Sequence, residues 1–192
     1  MSETVERHPF EPFLPPNARL LMLGTFPPAP KRWCMKFYYP NWINDMWRIF
    51  GICFFGDKDH FVLEQEKRFD LERIIPFLEE KGIALFDTAT RIRRTQDNAS
   101  DKDLEIVEAT DLDAMLRKIP SCQAVITAGQ LATEVFCTHY GIRAPKVGEY
   151  ATFRLDNRDL RLYRMPSSSR AYPMKAEKKA EFYDIVFKYL RL

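Results

Sequence analysis

Metal-ligating side chains are scarce in this sequence, with three histidines and four cysteines among 192 residues. His8, His60 and His139 lie far apart, and Cys34, Cys53, Cys122 and Cys137 include no C-x-x-C pair. That scatter argues against zinc sites and iron–sulfur clusters, so no metal and no cofactor are expected. Free thiols fit a reducing compartment, and the expected location is cytoplasmic. No apolar run is long enough to cross a bilayer and nothing resembles a signal peptide, so no membrane partner is expected. Neither an internal repeat nor a low-complexity linker interrupts the chain. One domain over residues 1–192 is expected, as a monomer, with the Pro-rich segment 1–19 wrapped over its surface.

A strong charge of one sign is also missing, since the net charge is only +2. Its distribution is uneven. From Tyr150 onward there are ten Lys/Arg against five Asp/Glu. Such a basic quarter serves either as a solvated face or as a phosphate-facing surface. Aromatics reach 14%, and they serve either as core or as stacking platforms for bases.

Leu20–Leu23 is a continuous apolar run closed by Gly24, the pattern of a buried strand. Pro27, Pro28 and Pro30 bar a helix directly after it and imply an extended loop. A short helix is expected over Asn41–Phe50, with Trp42, Met46, Ile49 and Phe50 on one face. Another is expected over Phe61–Glu80, broken before Pro76. Ile83–Phe86 reads as a second strand, ending at Asp87, and Ala124–Thr127 as a third. Thr110 or Asp111 caps a helix through Lys118, and Gly129 turns into a helix reaching about His139. Thr152–Leu155 and Leu160–Met165 read as strands joined by a turn, with a final helix over Met174–Leu190. Buried strands alternating with helices predict a three-layer α/β/α sandwich around a mainly parallel sheet of about four to five strands. Sites in such folds lie beyond the strands' carboxyl ends.

Two segments at such ends carry candidate chemistry. The first runs from Gly24-Thr25-Phe26-Pro27-Pro28 to Tyr38-Tyr39-Pro40-Asn41-Trp42-Ile43-Asn44-Asp45-Met46-Trp47. Glycine admits close approach, prolines stiffen the loop, and Asn side chains pair a donor with an acceptor. The second is Met165-Pro166-Ser167-Ser168-Ser169-Arg170, whose hydroxyls and N–H groups can grip phosphate without reading sequence. Each alone also reads as an ordinary turn.

Together the two segments resemble the uracil-DNA glycosylase superfamily. The first is similar to the Gly-x-x-Pro loop and Tyr-Tyr-x-His-Pro-x-Asn-x-Phe-Trp run of its hypoxanthine-DNA glycosylase branch. The second is similar to that branch's Leu-Pro-Ser-rich loop and to the Pro-Ser-x-x-Ser-Arg loop of mismatch-specific relatives. Ala84-Leu85-Phe86-Asp87-Thr88 resembles a family strand ending in Asp. Val125 to Ala132 resembles a strand-to-helix segment that often carries Asn-Gly where this chain has Ala128-Gly129. The His-Pro pair is Asn41-Trp42 here, and Phe26 stands where mismatch-specific relatives have Asn.

The resemblance implies hydrolysis of the N-glycosidic bond of a flipped deaminated base, uracil or hypoxanthine, in DNA. It assigns Asn44 to orienting the water or holding the base, and Tyr39 to stacking on it. Gly24 and Thr25 would line the base pocket through backbone groups, and Phe26 and Asn41 would bind the base with them. Pro27 would shape the loop against DNA, and Ser167 and Ser169 would bind flanking phosphates. Arg170, together with Ser168, would act where relatives insert a wedge into the duplex or would contact phosphate. Gln130 could reach the base, and Asp87 is either a pocket residue or a helix cap. No lysine sits in the motifs, although Lys31 and Lys36 lie between them, so a monofunctional reaction is expected. DNA is the implied partner, with nucleoid association in a bacterial host. The competing readings are a non-catalytic DNA- or nucleotide-binding protein that kept the fold, and an unrelated small-molecule α/β enzyme.

Overall fold

A computed structural model describes residues 4–96 and 100–192 of the chain. In chain order its elements are β1 (Glu6–Arg7), β2 (Leu20–Gly24), α1 (Met46–Phe55), β3 (Val62–Leu63), β4 (Arg68–Phe69), α2 (Leu71–Lys81) and β5 (Ile83–Asp87). Then follow β6 (Ala89–Arg94), β7 (Leu104–Ala109), α3 (Leu112–Arg117), β8 (Ala124–Ala128), α4 (Gln130–Tyr140), β9 (Tyr150–Leu155), β10 (Arg158–Met165) and α5 (Ala176–Leu190).

A five-stranded sheet runs in the order β5-β2-β8-β10-β9. The first four strands are parallel, and β9 closes the edge antiparallel to β10. Every residue of β2, β5 and β8 is buried. Successive side chains point to opposite faces, so neither face of these strands meets water, as their unbroken apolar runs require. Helices α1 and α5 pack together, with α5 on β10 and α4 against β8. Rings of Phe50, Phe54, Phe77 and Phe187 interlock between the helices. Most of the large aromatics therefore belong to the core.

The registers bring four strand ends level. Gly24 pairs with Asp87, Leu23 with Thr127, and Met165 with Ala128. The loops after β2, β5, β8 and β10 all leave from this one edge.

Several local expectations need correction. Residues 61–70 are not helical: β3 and β4 pair as a small hairpin that buries Phe61 and Phe69. Helix α2 begins only at Leu71 and continues through Pro76. Pro76 is exposed, so the Glu72 carbonyl that loses its donor can bond water. Helix α1 starts at Met46 rather than Asn41, because Asn41 and Asn44 Oδ1 atoms capture the N–H groups of Ile43 and Met46. A single 3₁₀ turn at Pro30–Arg32 interrupts the extended loop after β2. A second sheet, for which no strand is expected from the sequence, forms from β1, β6 and β7. The N-terminal segment also bridges β5, where Phe13 and Leu85 exchange both backbone bonds at 3.0 and 2.9 Å.

Candidate active site

Beyond the level strand ends lies a cavity of about 950 Å³, near the upper end of small-molecule pockets. Gly24, Thr25, Phe26, Pro27, Tyr39, Asn41 and Asn44 line it together with Ser167, Ser168 and Ser169. The two motif segments are stitched directly: Asn44 bridges Ser169, and the Asp45 N–H donates to the Ser168 carbonyl at 2.9 Å. A smaller cavity of about 520 Å³ lies on the other side of His8, lined by Arg7, Thr90, Arg91 and Lys118. Of the motif segments only Phe86 reaches it.

Gly24 is required by a side chain. A Cβ there would stand 2.9 Å from Asp87 Oδ1, and that carboxylate cannot swing away easily. His8 Nε2 lies 2.7 Å from Asp87 Oδ2, with both side chains buried. The Phe10 N–H donates to His8 Nδ1 at 3.1 Å, so the ring proton sits on Nε2 and is donated to Asp87. Asp87 is thus a pocket residue, and no helix cap.

Thr25 Oγ1 donates to Asp101 Oδ2 at 3.0 Å. The Gly24 and Thr25 carbonyls accept from the Thr88 and Ala89 N–H groups. Their carbonyls are therefore spent on the strand ends rather than offered to the cavity. Phe26 packs edge-on against His8 at 5.2 Å, with the Arg94 guanidinium over its ring at 5.7 Å. Arg94 also donates to the Pro27 carbonyl at 2.6 Å.

Tyr39 adopts a left-handed φ of 51°, which costs a non-glycine residue about 1–3 kcal/mol. Its ring meets Trp47 edge-on. Its hydroxyl is buried without a hydrogen-bond partner, and burial pushes its pKa well up. An orphaned phenol combined with strained backbone is a recurrent signature of a functional position.

Asn44 Oδ1 accepts from the Met46 N–H at 2.9 Å and so supports the first turn of α1. This orientation leaves the Nδ2 donors for a ligand. Asp45 does not cap the helix with its side chain. Its buried carboxylate meets Arg170 Nε at 3.1 Å and Lys179 Nζ at 3.3 Å. Lys179 is fully buried and also donates to the Ser169 carbonyl at 2.8 Å, while the Tyr183 hydroxyl donates to the Pro166 carbonyl at 2.7 Å. Burial draws the Lys179 pKa down and Asp45 opposes it. This network clamps the serine loop onto α1 and α5.

Within that loop, Ser167 and Ser169 hydroxyl oxygens accept from the N–H groups two residues on, at 3.2 Å each. Their O–H groups remain directed by whatever acceptor arrives. Ser168 is buried, so it sits inside the wall rather than on an outer wedge. Arg170 does not line the cavity; its guanidinium is half-exposed and turned to Asp45.

The sequence reading missed Asp101, Arg32, Arg94 and Lys102, all on the cavity wall. It also missed His8 behind that wall. Gln130 lines the cavity, with its amide bonded to Glu134 at 2.8 Å. All four cysteines are free thiols, and burial raises each, Cys53 and Cys122 to about 12. None is a poised nucleophile. Among the described residues no group of His, Cys, Asp and Glu could hold a metal ion, and no helix is long and apolar enough to cross a membrane.

No family model matches the chain, and no curated protein does. Among solved structures, a solution NMR structure of a "putative Uracil DNA glycosylase" from Methanosarcina acetivorans matches with a TM-score of 0.65 and 20% identity. The match covers 98% of this chain and 100% of the other. The chain therefore has a uracil-DNA glycosylase-like fold: mixed α/β, with a five-stranded, mainly parallel sheet flanked by helices.

Proposed function

We propose that this chain is a DNA repair glycosylase that hydrolyses the N-glycosidic bond of a flipped, deaminated base. Uracil or hypoxanthine is the target, with the motifs closest to the hypoxanthine branch. The observation that carries the reading is the convergence of residues 24–44 and 167–169 on one cavity at the strand ends. A fold likeness spanning the whole chain supports it. We take residues 1–192 as one three-layer domain, acting as a monomer on cytoplasmic or nucleoid DNA, without a cofactor.

Base loss passes through an oxocarbenium-like sugar and leaves negative charge on the departing base. A site gains rate by meeting that charge with fixed donors. The free Nδ2 of Asn44 is the donor placed for it, and Tyr39 supplies the stacking face. Phe26, Asn41, Gly24 and Thr25 shape the rest of the base site. Pro27 stiffens the rim. Ser167 and Ser169 bind flanking phosphates, Ser168 holds the loop's inner face, and Arg170 neutralises phosphate from the rim once DNA is bound.

Alkali cleavage of oligonucleotides bearing uracil, hypoxanthine, xanthine or mismatched thymine tests the reading. Strand breaks at uracil or hypoxanthine are expected. Binding should weaken with salt by a log–log slope of about −0.7 to −0.9 per neutralised phosphate. Salt-sensitive binding without an abasic product on any oligonucleotide would favour the non-catalytic alternative, which Phe26 and Asn41-Trp42 motivate. Lys102 on the cavity wall raises the question of a Schiff base. Borohydride trapping during turnover is expected to yield no covalent protein–DNA complex; a trapped complex lost in Lys102→Met would overturn the monofunctional assignment.

A further inference from the structure

With Asn44 Oδ1 held by the helix, the cavity needs another group to accept a proton from the attacking water. We propose that Asp101, delivered by the β6–β7 hairpin, is that group: a catalytic carboxylate that orients and deprotonates the water. The proposal deepens the glycosylase reading and rests on it.

Among the described residues three acidic side chains line the cavity, Asp87, Asp101 and Glu134, and Glu134 already accepts from the Gln130 amide. Asp87 is held at the base-side edge, with its Oδ2 on His8 and its Oδ1 facing Gly24. Asp101 has one acceptor site taken by the Thr25 hydroxyl, and a carboxylate offers about four. Its Oδ2 lies 3.9 Å from where a Cβ on Gly129 would stand, at the end of β8, and the Ser167 Cβ is equally near that point. The carboxylate therefore hangs over the strand ends, between the base-side loop and the phosphate-side loop. That is where the sugar joining a flipped base to its phosphates must lie.

The step balances as a hydrolysis. The water oxygen bonds to C1′ as the C1′–N bond breaks, with its electron pair leaving on the base. One water proton passes to Asp101, which returns it to solvent. The base anion, held by Asn44, takes its proton from solvent water.

Burial raises the Asp101 pKa and the nearby Asp87 charge adds to this, while the Thr25 hydroxyl and Arg94 oppose it. A base in this role works only when ionised. The rate should therefore climb with pH to a plateau, with its acid limb above the usual aspartate range. Thr25→Val removes the donor that favours the ionised form, so it should move that limb to higher pH.

The test is single-turnover base release against pH for the native chain, Asp101→Asn and Thr25→Val, with DNA affinity and melting temperature measured in parallel. Asp101→Asn should lose about 100- to 10,000-fold in rate, with DNA affinity equal or slightly tighter and the melting temperature preserved. Rates within threefold of native, or an acid limb that stays put in Thr25→Val, would overturn the assignment while leaving the glycosylase reading intact. A native chain that releases no base from any oligonucleotide removes both.

Discussion

Asp45→Ala should lower the free energy of unfolding by about 3–5 kcal/mol. The substitution removes the carboxylate from a fully buried Lys179 ammonium and from Arg170. A buried charge without its partner is far costlier than the pair is valuable. The double variant Asp45→Leu with Lys179→Met should therefore be less damaging than Asp45→Ala alone. Denaturant unfolding of the three proteins measures this directly. A loss below about 1 kcal/mol would mean that water reaches the ion pair. The same variant loosens the Ser169 carbonyl and the Ser168–Asp45 backbone bond, so DNA affinity should fall with stability.

Asn44→Ala should reduce base release by about 100- to 1,000-fold, the usual effect of deleting one donor to a developing anion. DNA affinity should change little. Because Oδ1 supports the first turn of α1, a stability loss of about 1 kcal/mol should accompany it. Asn44→Asp separates the two roles. It keeps the acceptor for the Met46 N–H, and so the helix, but replaces the donor with negative charge facing the departing base. Its rate should be as low as that of Asn44→Ala or lower. An Asn44→Asp protein with near-native rate would show that the residue matters only as a cap.

Legibility in the sequence followed a physical line. β2, β5 and β8 are strands buried on both faces, and each announces itself as an unbroken apolar run before a polar end. The β6–β7 hairpin gives no such signal. In β6 only Ala89 and Ile92 are buried, and a register shift on each side of Arg91 breaks the alternation. Its pairing rests partly on exposed charge pairs, Arg93 with Glu105 and Arg91 with Glu108. Residues 61–70 misled because the buried Phe61 and Phe69 frame charged residues at spacings that also suit a helix. For the site, contiguous stretches such as Gly24–Pro27 and Pro166–Ser169 were readable. Asp101 joins Thr25 across 76 residues, and His8 joins Asp87 across 79. No local pattern encodes either meeting; tertiary packing alone brings them about.

The His8–Asp87 contact gives the N-terminal strap the character of a latch. All five strands of the main sheet lie outside residues 4–19, so a chain clipped after His8 retains its central scaffold. It loses the imidazole that fixes Asp87 and props Phe26. In this molecule a native-looking circular dichroism spectrum is therefore no certificate of an assembled pocket.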